Sequence, residues 1–413
     1  MTEKKVVVVG AGISGLVAAI ELEKKGYSPI ILEASSSVGG RVKTDKEGDY
    51  RFDHGFQVLL TAYPEAQRYL DYDTLNLKKF LPGAIIHGNH GKFLVADPLR
   101  QPSALLAMIS SPVGTLTDKW KMWRLTETLK KKSLKEIFEG PSISTLAYLK
   151  DLGFSDRILN NFFRPFFGGI FLEDELQTSS RMFQFIFKMF SEGHAAIPEE
   201  GMQAIPDQLA GQLKKTELRF NTAVTSILED VIQTTNGALG YDRVIITVPP
   251  HGLLPDYQSE STAYQSTVNS YFSIPKFKKS NCIGLRPIGH RLINNLCVIS
   301  DIAPSYASGD AALLSVSAIG HQSLKGQDYT EALIDELSTI LGLKATDLKF
   351  LKHYNIEKGL PILKEPHLQL GEAEASYNDK VYLAGDYLLG GSLNAAMISG
   401  REVVQIMLNR MER

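Results

Sequence analysis

Gly10-Ala11-Gly12-Ile13-Ser14-Gly15 spells G-x-G-x-x-G, and an acid, Glu33, stands twenty-three residues after Gly10. Residues of these types at this spacing hold a dinucleotide. Gly10 permits a tight turn, Gly12 lets backbone approach a pyrophosphate, and Gly15 lets a helix pack closely on a strand. A helix opening in this loop turns free N–H groups and its positive dipole end toward the phosphates. Glu33 is placed to accept hydrogen bonds from ribose hydroxyls; an acid there argues against a 2′-phosphate, which leaves NAD or FAD. The elements that must position these residues lie on either side. Val6-Val7-Val8-Val9 is a β-branched run suited to a buried strand of a parallel sheet. Ile13, Leu16, Val17 and Ile20 fall at helical spacing, Lys24 and Lys25 suit the helix's negative end, and Gly26 is placed to cap it. Ile30-Ile31-Leu32 makes a second strand ending at Glu33. A lone glycine-rich loop is a weak signal, but strand, loop, helix, strand and acid in register form a specific one.

Further blocks follow in order: Glu33-Ala34, Val38-Gly39-Gly40-Arg41-Val42, Phe52-Asp53-His54-Gly55-Phe56-Gln57, the run Leu218 to Val224, Val381 to Asp386, and Gly391 to Ala396. Together they resemble the extended fingerprint of the superfamily of flavin-dependent amine oxidases, protoporphyrinogen oxidases and carotenoid desaturases. The blocks run from residue 6 to 401, so the resemblance covers the whole chain. It implies FAD. Gly40 and Arg41 would lie against the pyrophosphate, Gly55, Phe56 and Gln57 on a strand beside the flavin, and the Val224 backbone against adenine. Gly385 and Asp386 would meet the ribityl–phosphate region, and the helix opening at Ser392 and Leu393 would point at the flavin's pyrimidine edge. A helix N-terminus there stabilises the negative charge of a reduced flavin. Two departures stand out. Ser35 replaces the arginine that often follows the Glu-Ala pair, and no cysteine lies near a flavin-contacting segment, so FAD is expected to be held non-covalently. The expected architecture is α/β, a Rossmann-type FAD-binding domain (GR2-like) with a discontinuous α+β substrate-binding domain. Residues 1–75, 195–253 and 372–413 would form the first; 76–194 and 254–371 would form the second. A strand from Val244 to Val248, closed by Pro249-Pro250, marks one crossing.

Composition narrows the function classes. Of 413 residues, 44% are hydrophobic and 22% charged, with a net charge of −2, which describes a globular chain with no global basic field for nucleic acid. Cys282 and Cys297 are the only cysteines, which excludes a disulfide scaffold and favours a reducing, cytoplasmic compartment. The apolar run from Val6 to Ile20 is broken by three glycines and followed by Glu21, Glu23, Lys24 and Lys25, so it reads as neither signal peptide nor membrane span. His87 and His90 lie in a turn with no further ligand nearby, and no metal site is expected.

Ten of the nineteen phenylalanines fall between Phe154 and Phe190, among them Phe162, Phe163, Phe166, Phe167 and Phe171. Most should be core; some should line a pocket for a large apolar substrate. Arg157 and Arg164 are candidate polar anchors beside it. Trp120 and Trp123 sit in a basic stretch, 119–135, with the lysines spread around the helix, so the tryptophans read as packing anchors of a surface helix, with an interfacial membrane helix as the alternative. No second G-x-G-x-x-G follows a strand, so no NADPH site is expected; electrons would come from an apolar-to-amphipathic organic substrate and leave to oxygen or a quinone.

Alignment to amine oxidases places Thr267 where their flavin-linked lysine stands, with Lys276 the nearest lysine, and Ser392 where they often carry an aromatic residue. Ala384-Gly385-Asp386-Tyr387 resembles carotene desaturases of plants and cyanobacteria; Gly359-Leu360-Pro361 is similar to both desaturases and protoporphyrinogen oxidases. The reading is hydride abstraction from a substrate C–H onto flavin N5, a reaction that needs no side-chain acid or base. Arg41, Gln57 and Tyr387 would approach the flavin without a catalytic role. The alternatives are a flavin amine oxidase, a non-redox flavoenzyme resembling UDP-galactopyranose mutase, and a flavin-free escort protein resembling GDP-dissociation inhibitors.

Overall fold

A computed structural model describes residues 4–88, 91–96, 111–255, 257, 262–276, 280–289, 292–320, 322 and 326–413. Val6–Val9 lies at the centre of a five-stranded sheet, between Ile30–Leu32 and Arg243–Ile246, with Glu217–Arg219 and Val381–Leu383 at the edges; every pairing is parallel. The continuous apolar run of the first strand is explained by cover on both faces. Val6 and Val8 pack with the helices Ile13–Lys24 and Leu393–Glu412. Val7 and Val9 pack with Ile227 and Ile232 of a small antiparallel sheet, Val224–Ile227, Val231–Thr234 and Gly237–Gly240.

A second, seven-stranded sheet runs in the order Lys349–Pro361, Tyr264–Pro275, Ala311–Ile319, Asn295–Val298, Ile283–Leu285, Gly83–Gly88, Gly91–Ala96. One face is closed by the helix Gly326–Leu341 through Leu333, Leu337 and Ile340. The parallel sheet draws its strands from residues 1–75, 195–253 and 372–413, and the larger sheet from 76–194 and 254–371. One small sheet crosses that division: Lys78–Lys79 pairs with Ala195–Ile197, which also pairs with Leu59–Leu60.

Several expectations shift at this level. The run 218–224 is not one strand. Glu217–Arg219 ends in the parallel sheet, Asn221 takes a left-handed φ of 50°, and Val224 opens the neighbouring sheet. The strand Tyr50–Asp53 stops at Asp53, short of Gly55, whose φ is 100°. The strand expected over 244–248 spans Arg243–Ile246. His87 lies buried in the strand Gly83–Gly88, while His90 lies outside the described residues. Trp120 and Trp123 are not packing anchors: both are 52% exposed on the helix Leu116–Lys131, whose buried apolar residues are Leu125 and Leu129. Among the described residues no helix is long and apolar enough to cross a membrane.

Candidate functional site

The loop between the first strand and first helix is tied down from beneath. A Cβ on Gly15 would stand 2.0 Å from the Gly10 carbonyl oxygen, so the helix sits against the strand end as only glycine allows. Gly12 is the N-cap and makes no side-chain cap bond, and a Cβ there would meet nothing within 4 Å. The first turn's N–H groups thus face open space, as an anion site requires. Glu33 is buried; it accepts from the Ala11 N–H at 2.7 Å and from the Ser35 N–H and hydroxyl at 2.8 and 2.7 Å. Ser35, noted in the sequence only as a missing arginine, therefore orients the acid.

Gly39-Gly40-Arg41 folds over this loop, with the Gly39 N–H donating to the Ala11 carbonyl at 2.9 Å. Arg41 reaches across the cleft. Its Nη2 stands 2.5 Å from Asp386 Oδ1, its Nη1 donates to the Gly359 carbonyl at 3.2 Å, and its guanidinium lies 5.9 Å from the Tyr264 ring centre. The Asp386 carboxylate raises the Arg41 pKa above its ordinary value, so the cation is locked in. Gln57 donates to the Arg41 carbonyl at 2.9 Å and to that of His54 at 3.2 Å. The C-terminal helix points its N-terminus into the same cleft; Ser392 caps it by accepting from the Ala395 N–H at 3.1 Å, and Ser14 donates to the Ala396 carbonyl at 2.9 Å. Beside Asp386, the buried Tyr387 hydroxyl has no hydrogen-bond partner among the described residues. An orphaned hydroxyl, an uncapped helix start and a locked arginine fit a phosphate-bearing cofactor that supplies the missing partners.

One cavity of about 1560 Å³ joins these residues, beyond the several hundred Å³ that one small ligand occupies. Its wall includes Gly10, Gly12, Ile13, Ser14, Glu33, Ala34, Gly40, Arg41, Gly55, Phe56, Gln57, Val224, Asp386, Ser392 and Leu393. Ala11, Gly15 and Gly385 lie behind the wall: the first bonds Glu33, the second seats the helix, and the Gly385 N–H donates to Ser399 Oγ at 2.6 Å. Away from the glycine-rich loop the described lining is mainly apolar, with Lys119, His194 and Asn295 among its polar groups. Phe162, Phe166, Phe167, Phe187 and Phe190 line the cavity, whereas Phe163, Phe171, Phe183 and Phe185 are core. Phe162 sits in a π-helical turn, Leu159–Phe163, and its ring stacks on that of Phe166 at 5.4 Å between centroids. The anchors expected at Arg157 and Arg164 do not reach the cavity. Arg157 is exposed, and Arg164 pairs with Glu175 at 3.2 Å.

Polar groups on the far wall come from the larger sheet, which the sequence did not single out beyond Thr267 and Gly359. Thr267 lines the cavity but spends its hydroxyl on the Ala318 carbonyl at 2.7 Å, so it holds no free base. His54 and Tyr354 pack ring on ring at 4.5 Å, with Asp45 3.0 Å from His54 Nε2 and accepting from the Tyr354 hydroxyl at 2.6 Å. Burial alone would raise the Asp45 carboxyl, but hydrogen bonds from Tyr354, His54 and Lys352 outweigh it and hold it at about 2. Asp53 behind them is fully buried, and burial raises its pKa; it accepts from Thr44 at 2.5 Å and Tyr306 at 2.6 Å. Neither cysteine lines the cavity, and both are buried. Among the described residues no cluster could hold a metal ion.

The chain belongs to the flavin containing amine oxidoreductase family, whose sequence profile matches residues 13–408. FAD is its cofactor, held by a fold with a Rossmann-type parallel sheet and a second, substrate-side sheet. Protoporphyrinogen oxidase 2 of Arabidopsis thaliana is 27% identical over 168 residues, 40% of this chain and 32% of that enzyme. The curated relatives it matches are thus spanned over about a third of their length or less. A putative protoporphyrinogen oxidase from Exiguobacterium sp. 255-15 superposes with a TM-score of 0.76 over 100% of both chains at 20% identity. Reduced UDP-galactopyranose mutase superposes at 0.69 with 16% identity, covering 98% of this chain and 96% of that one. At such identities the likeness is one of fold.

Proposed function

We propose that this chain is an FAD-dependent dehydrogenase that oxidises a large, predominantly apolar organic substrate, in the manner of desaturases or protoporphyrinogen oxidases. The observation that carries this reading is one cavity whose described lining includes both the glycine-rich loop and the wall of Phe162, Phe166 and Phe190. The helix start at Gly12 and the Arg41 side chain would hold the pyrophosphate, Glu33 the ribose, and Val224 the adenine. Asp386 would hold the ribityl chain, Gly55 to Gln57 the flavin, and the N–H groups after Ser392 its pyrimidine edge. When bound, the flavin supplies a two-electron acceptor for a substrate hydride. The chain's own part is to hold the reacting C–H within about 3.5 Å of that acceptor and to exclude water. The phenylalanine wall does both, because it fits an apolar body and leaves water no partners.

Among the described lining residues Arg41 is the single arginine, and Asp386 already pairs it. Lys119 and Lys358 are the other cations of the described wall; a sugar nucleotide needs arginines for its diphosphate, so a mutase-like reaction is the less supported reading. Thr267, bonded to a carbonyl, weighs against an amine oxidase. The test is anaerobic titration of the yellow protein with a protoporphyrinogen-type tetrapyrrole, carotene precursors in detergent, and primary amines and polyamines. Bleaching of the oxidised flavin band by an apolar donor is expected. Bleaching by amines alone, or by no donor in the panel, refutes the proposal.

A further inference from the structure

We propose that the outward face of the helix Leu116–Lys131 docks this protein on an anionic lipid surface, with the cavity opening beside the contact. Leu116 is 68% exposed, and Trp120 and Trp123, the chain's two tryptophans, follow on the next two turns at half exposure. Spacings of four and three residues put all three on one side of the helix. The opposite side is buried through Asp118, Leu125 and Leu129. Tryptophan exposed in a row with leucine is costly in water and favourable at a bilayer's headgroup level, where an apolar ring with a polar edge fits.

Charge selects the partner. The helix carries five basic residues, Lys119, Lys121, Arg124, Lys130 and Lys131, against Asp118 and Glu127. Asp118 is buried and accepts from Thr115 and Ser155, and Glu127 pairs with Lys130 at 3.4 Å, so neither acid projects a free charge from this face. Arg124 lies 5.5 Å from the Trp120 ring centre, which keeps its charge on the tryptophan face. The whole chain carries −2, so the attraction is local to this patch. A second copy meeting the same face would set cations against cations, whereas anionic headgroups neutralise them.

Continuity with the cavity gives the contact a purpose. Lys119, Met122, Trp123 and Thr126 of this helix line the cavity, as does the exposed Leu81. A side chain that both lines the cavity and meets solvent marks where the cavity reaches the surface, and at Trp123 that place is the docking face. An apolar substrate dissolved in lipid could then enter without crossing water. The delivery step rests on the apolar-substrate reading; the docking does not, and its test involves no turnover.

The experiment is co-sedimentation of the FAD-loaded full chain with vesicles of phosphatidylglycerol and phosphatidylcholine, and with phosphatidylcholine alone. Tryptophan emission is followed in the same samples. Because Trp120 and Trp123 are the only tryptophans, emission reports this helix alone. Binding to the anionic vesicles is expected, with a blue shift, quenching by brominated acyl chains, and loss at high salt. Arg124→Gln with Lys131→Gln should weaken partitioning roughly twenty-fold, about fivefold per cation. Leu116→Ser with Trp120→Ser, neither of which lines the cavity, should lower it at least as far while FAD is retained. No binding to anionic vesicles, equal binding to neutral ones, binding without a change in emission, or a tryptophan-dependent dimer that ignores vesicles would each overturn the proposal. The brominated-lipid measurement uses the unaltered chain, so it decides even if a variant fails to fold.

Discussion

The two loop glycines make a pair of perturbations with opposite expected outcomes, although each adds one methyl group. At Gly15 the new Cβ would stand 2.0 Å from the Gly10 carbonyl oxygen, where at least 3.0 Å is needed, so the first helix must retreat by about 1 Å. Retreat is blocked on the other side. A Cβ on Gly400 of the C-terminal helix would already lie 2.3 Å from the Ser14 carbonyl, which shows how tightly the two helices are pressed together. Overpacking of this kind costs about 1–3 kcal/mol, and the trapped helix puts Gly15→Ala at the upper end. At Gly12 the φ of −72° and ψ of 178° suit alanine, and the added methyl meets no protein atom within 4 Å. The apoprotein should lose under about 0.5 kcal/mol there, and restricting the unfolded chain offsets part of it. The methyl would instead stand on the cavity wall where the phosphates are proposed to lie. A clash costing about 3 kcal/mol in the complex alone weakens FAD binding by more than a hundredfold. The assay is urea unfolding of each deflavinated variant beside FAD titration followed by flavin fluorescence. Gly15→Ala should shift the unfolding midpoint; Gly12→Ala should leave it in place and abolish tight binding. Wild-type FAD affinity in Gly12→Ala, or equal destabilisation of the two apoproteins, would refute the division between a glycine that serves the fold and one that serves the ligand.

Burial, followed by the charges of Lys92 and Arg286, lowers the His87 pKa from 6.5 to about 4, so the unfolded chain binds more protons between those values. Stability is therefore full above pH 6.5 and falls by about 3 kcal/mol as pH drops through 4; His87→Leu should remove that acid limb from a series of melts, and an unchanged limb would count against it. Arg401 forks onto buried Glu65 with two bonds of 3.1 Å, so Arg401→Met should cost about 2 kcal/mol by urea unfolding. The loss is smaller than for an isolated buried pair because Arg68 stays 3.4 Å from the same acid. Phe163→Ala, in a fully buried ring's place, should cost about 3–5 kcal/mol. Phe190→Ala, on the cavity wall, should cost less and act on substrate affinity, read as KM against kcat once a donor bleaches the flavin.

How far this site could be read from sequence follows from how local each part of it is. The glycine-rich end of the cavity is built from contiguous residues whose geometry is dictated by glycine sterics, so the turn of Gly10 to Gly15, with Glu33 beneath it and Gly39-Gly40-Arg41 over it, could be placed before any fold was known. Arg41 facing Asp386 could not, because 345 residues separate them and only closure of the two segments over the cleft makes the pair. The phenylalanines show the intermediate case. Their clustering announced apolar packing, but the i, i+4 spacing only pairs Phe162 with Phe166 and Phe163 with Phe167, and which rings border the cavity is decided by what packs against the helix. The arginines near that cluster failed as anchors for a different reason: a guanidinium settles where a carboxylate is, and Glu175 lay within reach of Arg164. The polar wall comes instead from two long strands, Tyr264–Pro275 and Lys349–Pro361, whose pairing shifts register between Gln265 and Thr267. That irregularity lies at the very residues facing the cavity, where strand alternation alone cannot say which side chains point inward. The tryptophans were misjudged on energetic grounds. A large apolar ring seeks a core, yet a helix short of partners leaves Trp120 and Trp123 half exposed unless something else covers them, and the cations beside them favour an anionic cover.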